Sequence, residues 1–179
     1  VGVGDRVAVL CFNTPGMVAA MFGAWRLGAV AVPVNHKLQT PEVDYILEHV
    51  DVKVCVFDGS LASVVSRLQT SVKLLATNAD AAGFDSFDAQ LPAAATYDAL
   101  PPADDAIAQI LYTSGTTGRP KGCVLTHRAV CMAGMTAALA LSMQRDERTL
   151  MAMPLWHSSP LNNWMLGTLY VGGTVILLR

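Results

Sequence analysis

Short runs of β-branched and apolar residues, each followed by a helical pattern, recur along this chain and restrict the folds open to it. Residues 6–12 read as a strand. Thr14-Pro15 then supplies a helix N-cap and a proline at the first helical position, and Gly28 stops the helix that follows. The pattern repeats with a strand at 29–34, a helix opened by Thr40-Pro41 and running to His49, a strand at 52–57, a helix at 61–68 and a strand at 73–76. These strands are too uniformly apolar to keep one face in water. Each must be covered on both sides, which points to an α/β fold of mainly parallel sheet with covering helices.

The second half resumes the alternation, with strands at 107–112, 122–125, 149–153 and 174–178 and helices at 126–142 and 160–170. Between the halves, residues 74–118 contain no Lys or Arg but six aspartates. The segment 77–106 therefore reads as an irregular connection between two lobes, 1–76 and 107–179. The apolar run 129–143 is broken by Gly134 and Thr136 and falls short of the roughly 18–20 residues of a membrane span. Net charge is −2 and no basic stripe is present, so a nucleic-acid surface is not indicated. Cys11, Cys55, Cys123 and Cys131 lack C-x-x-C spacing, and the first residues lack the pattern of a secretory signal. Reduced thiols and a cytoplasmic home follow. With 53% apolar residues and 15% charged, the chain is apolar for a free-standing domain. An exposed apolar surface is expected, normally covered by other parts of a longer protein or buried in a dimer.

The chemistry concentrates in Tyr112-Thr113-Ser114-Gly115-Thr116-Thr117-Gly118-Arg119-Pro120-Lys121-Gly122. Three glycines allow positive φ and close backbone approach to a ligand, and successive N–H groups in such a turn form an anion-binding concavity. Four Ser/Thr hydroxyls add donors for phosphate oxygens, or an oxygen ligand for Mg²⁺. Arg119, Lys121, His127 and Arg128 place positive charge beside them. A polyphosphate accounts for the whole collection, whereas a ligand-free turn accounts for none of it. The segment is not a Walker A loop: proline precedes Lys121 and glycine, not Ser or Thr, follows it.

Residues 112–122 resemble the signature phosphate loop of the AMP-forming adenylating enzymes, a superfamily of acyl- and aryl-CoA synthetases, peptide-synthetase adenylation domains and luciferases. Met153-Pro154-Leu155-Trp156-His157 resembles the Pro-x-aromatic-His segment bordering that family's acyl pocket. Gly4-Asp5-Arg6-Val7-Ala8, Leu27-Gly28-Ala29-Val30 and Val32-Pro33-Val34-Asn35 resemble its early core. The similarity extends along the chain and is weakest over 78–106. It implies part of the large N-terminal domain of an acyl-CoA synthetase-like fold.

The resemblance further implies a carboxylate–CoA ligase that activates a small-molecule carboxylic acid with ATP and passes the acyl group to coenzyme A. Thr113, Ser114, Gly115, Thr116, Thr117, Gly118 and Lys121 would hold the β- and γ-phosphates, with Thr113 nearest Mg²⁺. Trp156 and His157 would line the carboxylate pocket, and Lys121 and His157 would act in catalysis. From patterning alone His157 reads equally as an inert histidine at a strand end, and Trp164 reads as a core side chain in preference to a further wall of the same pocket. Some long-chain fatty acyl members carry a gating tryptophan where this chain has Leu161, so that gate is not expected here. The adenine, ribose and lid motifs of the family have no counterpart here, and the chain is expected to be an N-terminal piece of a longer enzyme, inactive alone. Two other readings stay open: an amino-acid adenylation domain serving a carrier protein, and a non-catalytic nucleotide- or acyl-binding module.

Overall fold

The computed structural model describes residues 1–91, 101–113 and 119–179. Its elements follow in the order β1 (Arg6–Leu10), α1 (Pro15–Arg26), β2 (Val30–Pro33), α2 (Thr40–His49), β3 (Val52–Asp58), α3 (Ala62–Val65), β4 (Lys73–Thr77) and β5 (Asp85–Ser86). Next come β6 (Ile107–Thr113), β7 (Lys121–Thr126), α4 (His127–Ala140), β8 (Arg148–Met151), a π-helical segment (Ser159–Met165), α5 (Leu166–Tyr170) and β9 (Thr174–Leu177). Seven strands form one sheet in the order β5-β4-β3-β1-β2-β6-β7, and β8 and β9 pair separately in parallel. Every contact in the large sheet is parallel except β6–β7, which is antiparallel. The mixed α/β architecture agrees with the alternation in the sequence.

The central strand shows why the runs are apolar throughout. Val7, Val9 and Cys11 pack on one face with Met17, Met21 and Ala24 of α1, and that core continues into Met151, Leu155, Leu161 and Met165. Ala8 and Leu10 point the other way and pack with Val43, Ile46 and Leu47 of α2 and with Cys55, Phe57 and Val65. A period of two thus fills two separate cores from one strand.

Local signals set the ends of the helices. Thr14 caps α1 by accepting from the Met17 N–H, and Pro15 occupies its first turn. Gly28 ends it with φ of 68°, the left-handed conformation that favours glycine. In α2 the cap is Gln39, one residue before the expected Thr40, and the Glu42 carboxylate accepts from its N–H at 2.9 Å. The helix expected over 160–170 begins as a π-helical segment, whose wider turns carry Pro160, Leu161 and Met165 into the core. Between α4 and α5 a side chain at Gly167 would meet the Gly134 carbonyl at 3.1 Å, so the two backbones pack directly.

Leu150, Ile176 and Leu178 are 56%, 39% and 53% exposed, and Leu150 and Ile176 are register partners on the small sheet. No helix among the described residues is long and apolar enough to cross a membrane. All four cysteines are free.

Candidate active site

Thr113 ends β6 and Lys121 begins β7, and the antiparallel register sets them directly opposite one another. Both are exposed. Beside them lies a cavity of about 140 Å³ lined by Pro33, Asn35, Leu38, Glu42, Tyr112, Thr113, Pro120 and Trp156. Tyr112 is half-buried there, and burial pushes its phenol up to about 12. Its hydroxyl lies 2.6 Å from His49 Nδ1. His49 stacks on Tyr45, with ring centroids 5.1 Å apart, and the Arg119 guanidinium sits 5.6 Å from the Tyr45 ring centre.

The other wall rises from the segment after β8. Trp156 is half-buried, and its ring packs against His157 at 3.7 Å and edge-on to His36 at 6.3 Å. His36 in turn packs on Phe12 at 4.3 Å. The indole Nε1 of Trp156 and Nδ1 of His36 are buried without a hydrogen-bond partner among the described residues. Burial lowers the pKa of His36, with the charge of Lys37 adding to the effect, and burial also lowers that of His157. Both rings are therefore neutral at neutral pH, and an uncharged imidazole can accept as well as donate.

What fixes this wall is a buried asparagine. Asn13, 7% exposed, donates through Nδ2 to the Met151 carbonyl at 3.0 Å and the Met153 carbonyl at 2.9 Å. Its Oδ1 accepts from the Leu155 N–H at 2.9 Å. The end of β1 thus holds the backbone leading into Trp156-His157. A second tie comes from β6: Gln109 Nε2 donates to Asn162 Oδ1 at 2.8 Å, and Asn162 Nδ2 donates to the Ser158 hydroxyl at 3.1 Å. One strand therefore carries both Thr113 and an anchor for the π-helical segment.

A family profile described as AMP-binding enzyme matches residues 1–179, the whole chain. The chain belongs to the AMP-binding enzyme family. It is 37% identical over 174 residues to a feruloyl-CoA synthase from an Amycolatopsis species, a match covering 97% of this chain and 34% of that protein. To the long-chain-fatty-acid–CoA ligase FadD13 of Mycobacterium tuberculosis it is 38% identical over 159 residues, covering 88% of this chain and 32% of that protein. Among solved structures, the inhibitor-bound N-terminal domain of FACL13 from Mycobacterium tuberculosis superposes with a TM-score of 0.83 at 31% identity. That match covers 99% of this chain and 45% of that one. The chain spans about a third of the length of the curated relatives it matches.

Within this family domain, Thr113 and Trp156 line one cavity and Lys121 stands across the hairpin from Thr113. His157 is not among the lining residues; it is exposed and reaches the cavity through its contact with Trp156. Ser114, Gly115, Thr116, Thr117 and Gly118 lie outside the described residues. Trp164, taken from the sequence as a core side chain, is 39% exposed and lines a different cavity, of about 210 Å³, with Met153 and Pro160. Sequence reasoning passed over Asn13, His36 and Glu42. Only Glu42 had a local signal, three residues after a helix cap; the other two are defined by distant contacts.

Proposed function

We propose that this chain is part of an AMP-forming carboxylate–CoA ligase using ATP, a small-molecule carboxylic acid and coenzyme A. The observation that carries the reading is the pairing of Thr113 with Lys121 at the mouth of a cavity whose other wall is Trp156. A hydroxyl and an ammonium group there suit a polyphosphate, and an aromatic wall suits an organic acid. The relatives named above are CoA-thioester-forming enzymes, which supports coenzyme A over a carrier protein as acceptor.

The reaction has two displacements. A carboxylate oxygen attacks the α-phosphorus of ATP, the bond to the bridging oxygen breaks, and pyrophosphate leaves. The thiol sulfur of coenzyme A then attacks the acyl carbon, its proton passes to solvent or a base, and AMP leaves with the electrons of the C–O bond. Charge builds on the departing oxygens in the first step, so positioning and electrostatics dominate. Lys121 supplies positive charge for the β- and γ-phosphates, and Thr113 a hydroxyl at the same point. Trp156 shields the acid from water, and neutral His157 steadies the indole.

Mg²⁺ fits this donor set. Mg²⁺ that arrives on phosphates keeps several waters and needs few protein oxygens; the Thr113 hydroxyl and the Glu42 carboxylate line the cavity together. No cluster of three or more His, Cys, Asp or Glu that could hold a metal occurs among the described residues. When bound, Mg²⁺ would neutralise phosphate charge. Four free cysteines support a reducing, cytoplasmic location. The exposed Leu150, Ile176 and Leu178 support burial against a second copy, which sedimentation of the full-length gene product tests.

The decisive assay for the reaction is acid-dependent exchange of pyrophosphate into ATP by the full-length gene product across aryl and alkyl acids, followed by thioester formation on adding coenzyme A. Exchange without thioester would remove the CoA step. No exchange with any acid would remove the ligase reading.

A further inference from the structure

Two contacts made by α2 reach the two sides of the phosphate hairpin. His49, the last residue of α2, bonds Tyr112 at 2.6 Å, and Tyr112 is the residue immediately before Thr113. Tyr45, one turn earlier, lies under the guanidinium of Arg119, two residues before Lys121. The rings of Tyr45 and His49 stack on each other at 5.1 Å with their planes 19° apart. Arg119, Tyr45, His49 and Tyr112 thus form one continuous ladder from the β7 side of the hairpin to the β6 side.

We propose that Tyr45 and His49 are positioning residues for triphosphate binding, holding Thr113 and Lys121 at fixed separation and aim through Tyr112 and Arg119. The proposal rests on the ligase reading for the identity of the ligand. Its physical basis is independent. Thr113 and Lys121 are both exposed and carry no side-chain partner among the described residues, so their placement comes from the backbone that carries them. The β6–β7 ladder fixes that backbone on one side, and the only aromatic and hydrogen-bonding contacts from outside the hairpin to Tyr112 and Arg119 among the described residues come from α2. Spacing of four residues puts Tyr45 and His49 on one helix face, so a rigid helix couples the two contacts. Misplacing a charge-bearing contact by a fraction of a bond length weakens it without unfolding anything.

The test compares His49→Leu, Tyr112→Phe, their double variant, Tyr45→Leu and the conservative variants His49→Asn and Tyr45→Phe in the full-length gene product. The readouts are KM for ATP and KM for the acid in pyrophosphate exchange, together with Kd for ATP by calorimetry. The expected result is a rise of about 3- to 10-fold in KM and Kd for ATP, the scale of one neutral hydrogen bond, with KM for the acid unchanged. The double variant should match either single one, because both remove the same bond. His49→Asn and Tyr45→Phe should recover most of the affinity. Equal rises in both KM values, fully additive effects of His49→Leu and Tyr112→Phe, or unchanged ATP affinity would each overturn the proposal. A parent that binds ATP but does not exchange would end the ligase reading while calorimetry still decides this one; a parent that does neither would overturn both.

Discussion

Replacing Asn13 by leucine should detach the Trp156 wall from the central sheet at a measurable energetic cost. Leucine fills nearly the same volume, so the change removes polarity rather than packing. It leaves the Met151 and Met153 carbonyls and the Leu155 N–H without their partner. The bonds to Met151 and Leu155 are buried and the bond to Met153 is partly so. An unsatisfied buried group costs about 1–3 kcal/mol and a partly wet neutral bond about 0.5–1.5 kcal/mol. Water reaching Met153, which is 57% exposed, offsets part of the sum. Point substitutions rarely exceed about 4–5 kcal/mol, so the expected loss is about 3–4 kcal/mol. Urea unfolding reads this directly: with a slope near 2 kcal/mol per molar, the midpoint should fall by about 1.5–2 M at unchanged slope. Hydrogen exchange at the Leu155 amide should accelerate in step with it. A loss below about 1 kcal/mol, or a Leu155 amide protected as in the parent, would refute the idea that this side chain holds the wall.

Lys121→Ala should slow pyrophosphate exchange by about 10- to 100-fold, the loss of one charge-assisted contact, and spare thioester formation from preformed acyl-adenylate; equal damage to both steps contradicts a triphosphate role. His157→Ala should lower kcat/KM for the acid more than it weakens ATP binding, and full activity would leave the residue an inert surface histidine. His36, His127 and His157 all have pKa values lowered by burial from the ordinary 6.5, so folding favours their neutral forms. The stability they contribute is present above pH 6.5 and lost as pH falls through the lowered folded values. His36→Phe should flatten that loss, and urea midpoints that do not change between pH 7.5 and 5.5 in the parent would contradict it.

Strand and helix placement was legible because burial on both faces leaves an unmistakable apolar run, as in 29–34 around β2, and because Thr14-Pro15 is a self-contained start signal. The shift of the α2 cap to Gln39 was not, since glutamine is a weak cap until Glu42 closes back on its N–H. Local periodicity also cannot separate π-helical from α-helical turns at 159–165; the seam depends on packing against the core and on the Asn162–Gln109 bond. In the site, Thr113 and Lys121 were singled out by the residue types of 112–122 and Trp156 by the family resemblance; the structure puts Thr113 and Trp156 on one cavity and Lys121 opposite Thr113. Asn13 was not. An asparagine after a strand reads as a turn residue, and its partners lie 138–142 positions away. Such a residue becomes visible only when two distant backbones are brought together.

The geometry of the sheet explains why those distant residues meet at one edge. In a parallel sheet every strand ends on the same side, and ligand crevices open there. Asn13 follows the end of β1, Asn35 and His36 follow the end of β2, and Thr113 ends β6. A crossover helix after β6 would carry the chain back to the far side before its next strand. Instead β7 runs antiparallel, so its first residue starts at the edge where β6 finishes. Lys121 is that first residue. The single antiparallel step in the large sheet, at its β7 edge, is therefore what puts an ammonium group opposite Thr113, beside the cavity that Trp156 lines. A strand start also holds the lysine by sheet hydrogen bonds on a known register, where a Walker lysine depends on a helix N-terminus. In the role proposed for Lys121, the two solutions would deliver the same charge to a phosphate by different backbones, one from a helix N-terminus and one from a sheet edge braced by α2.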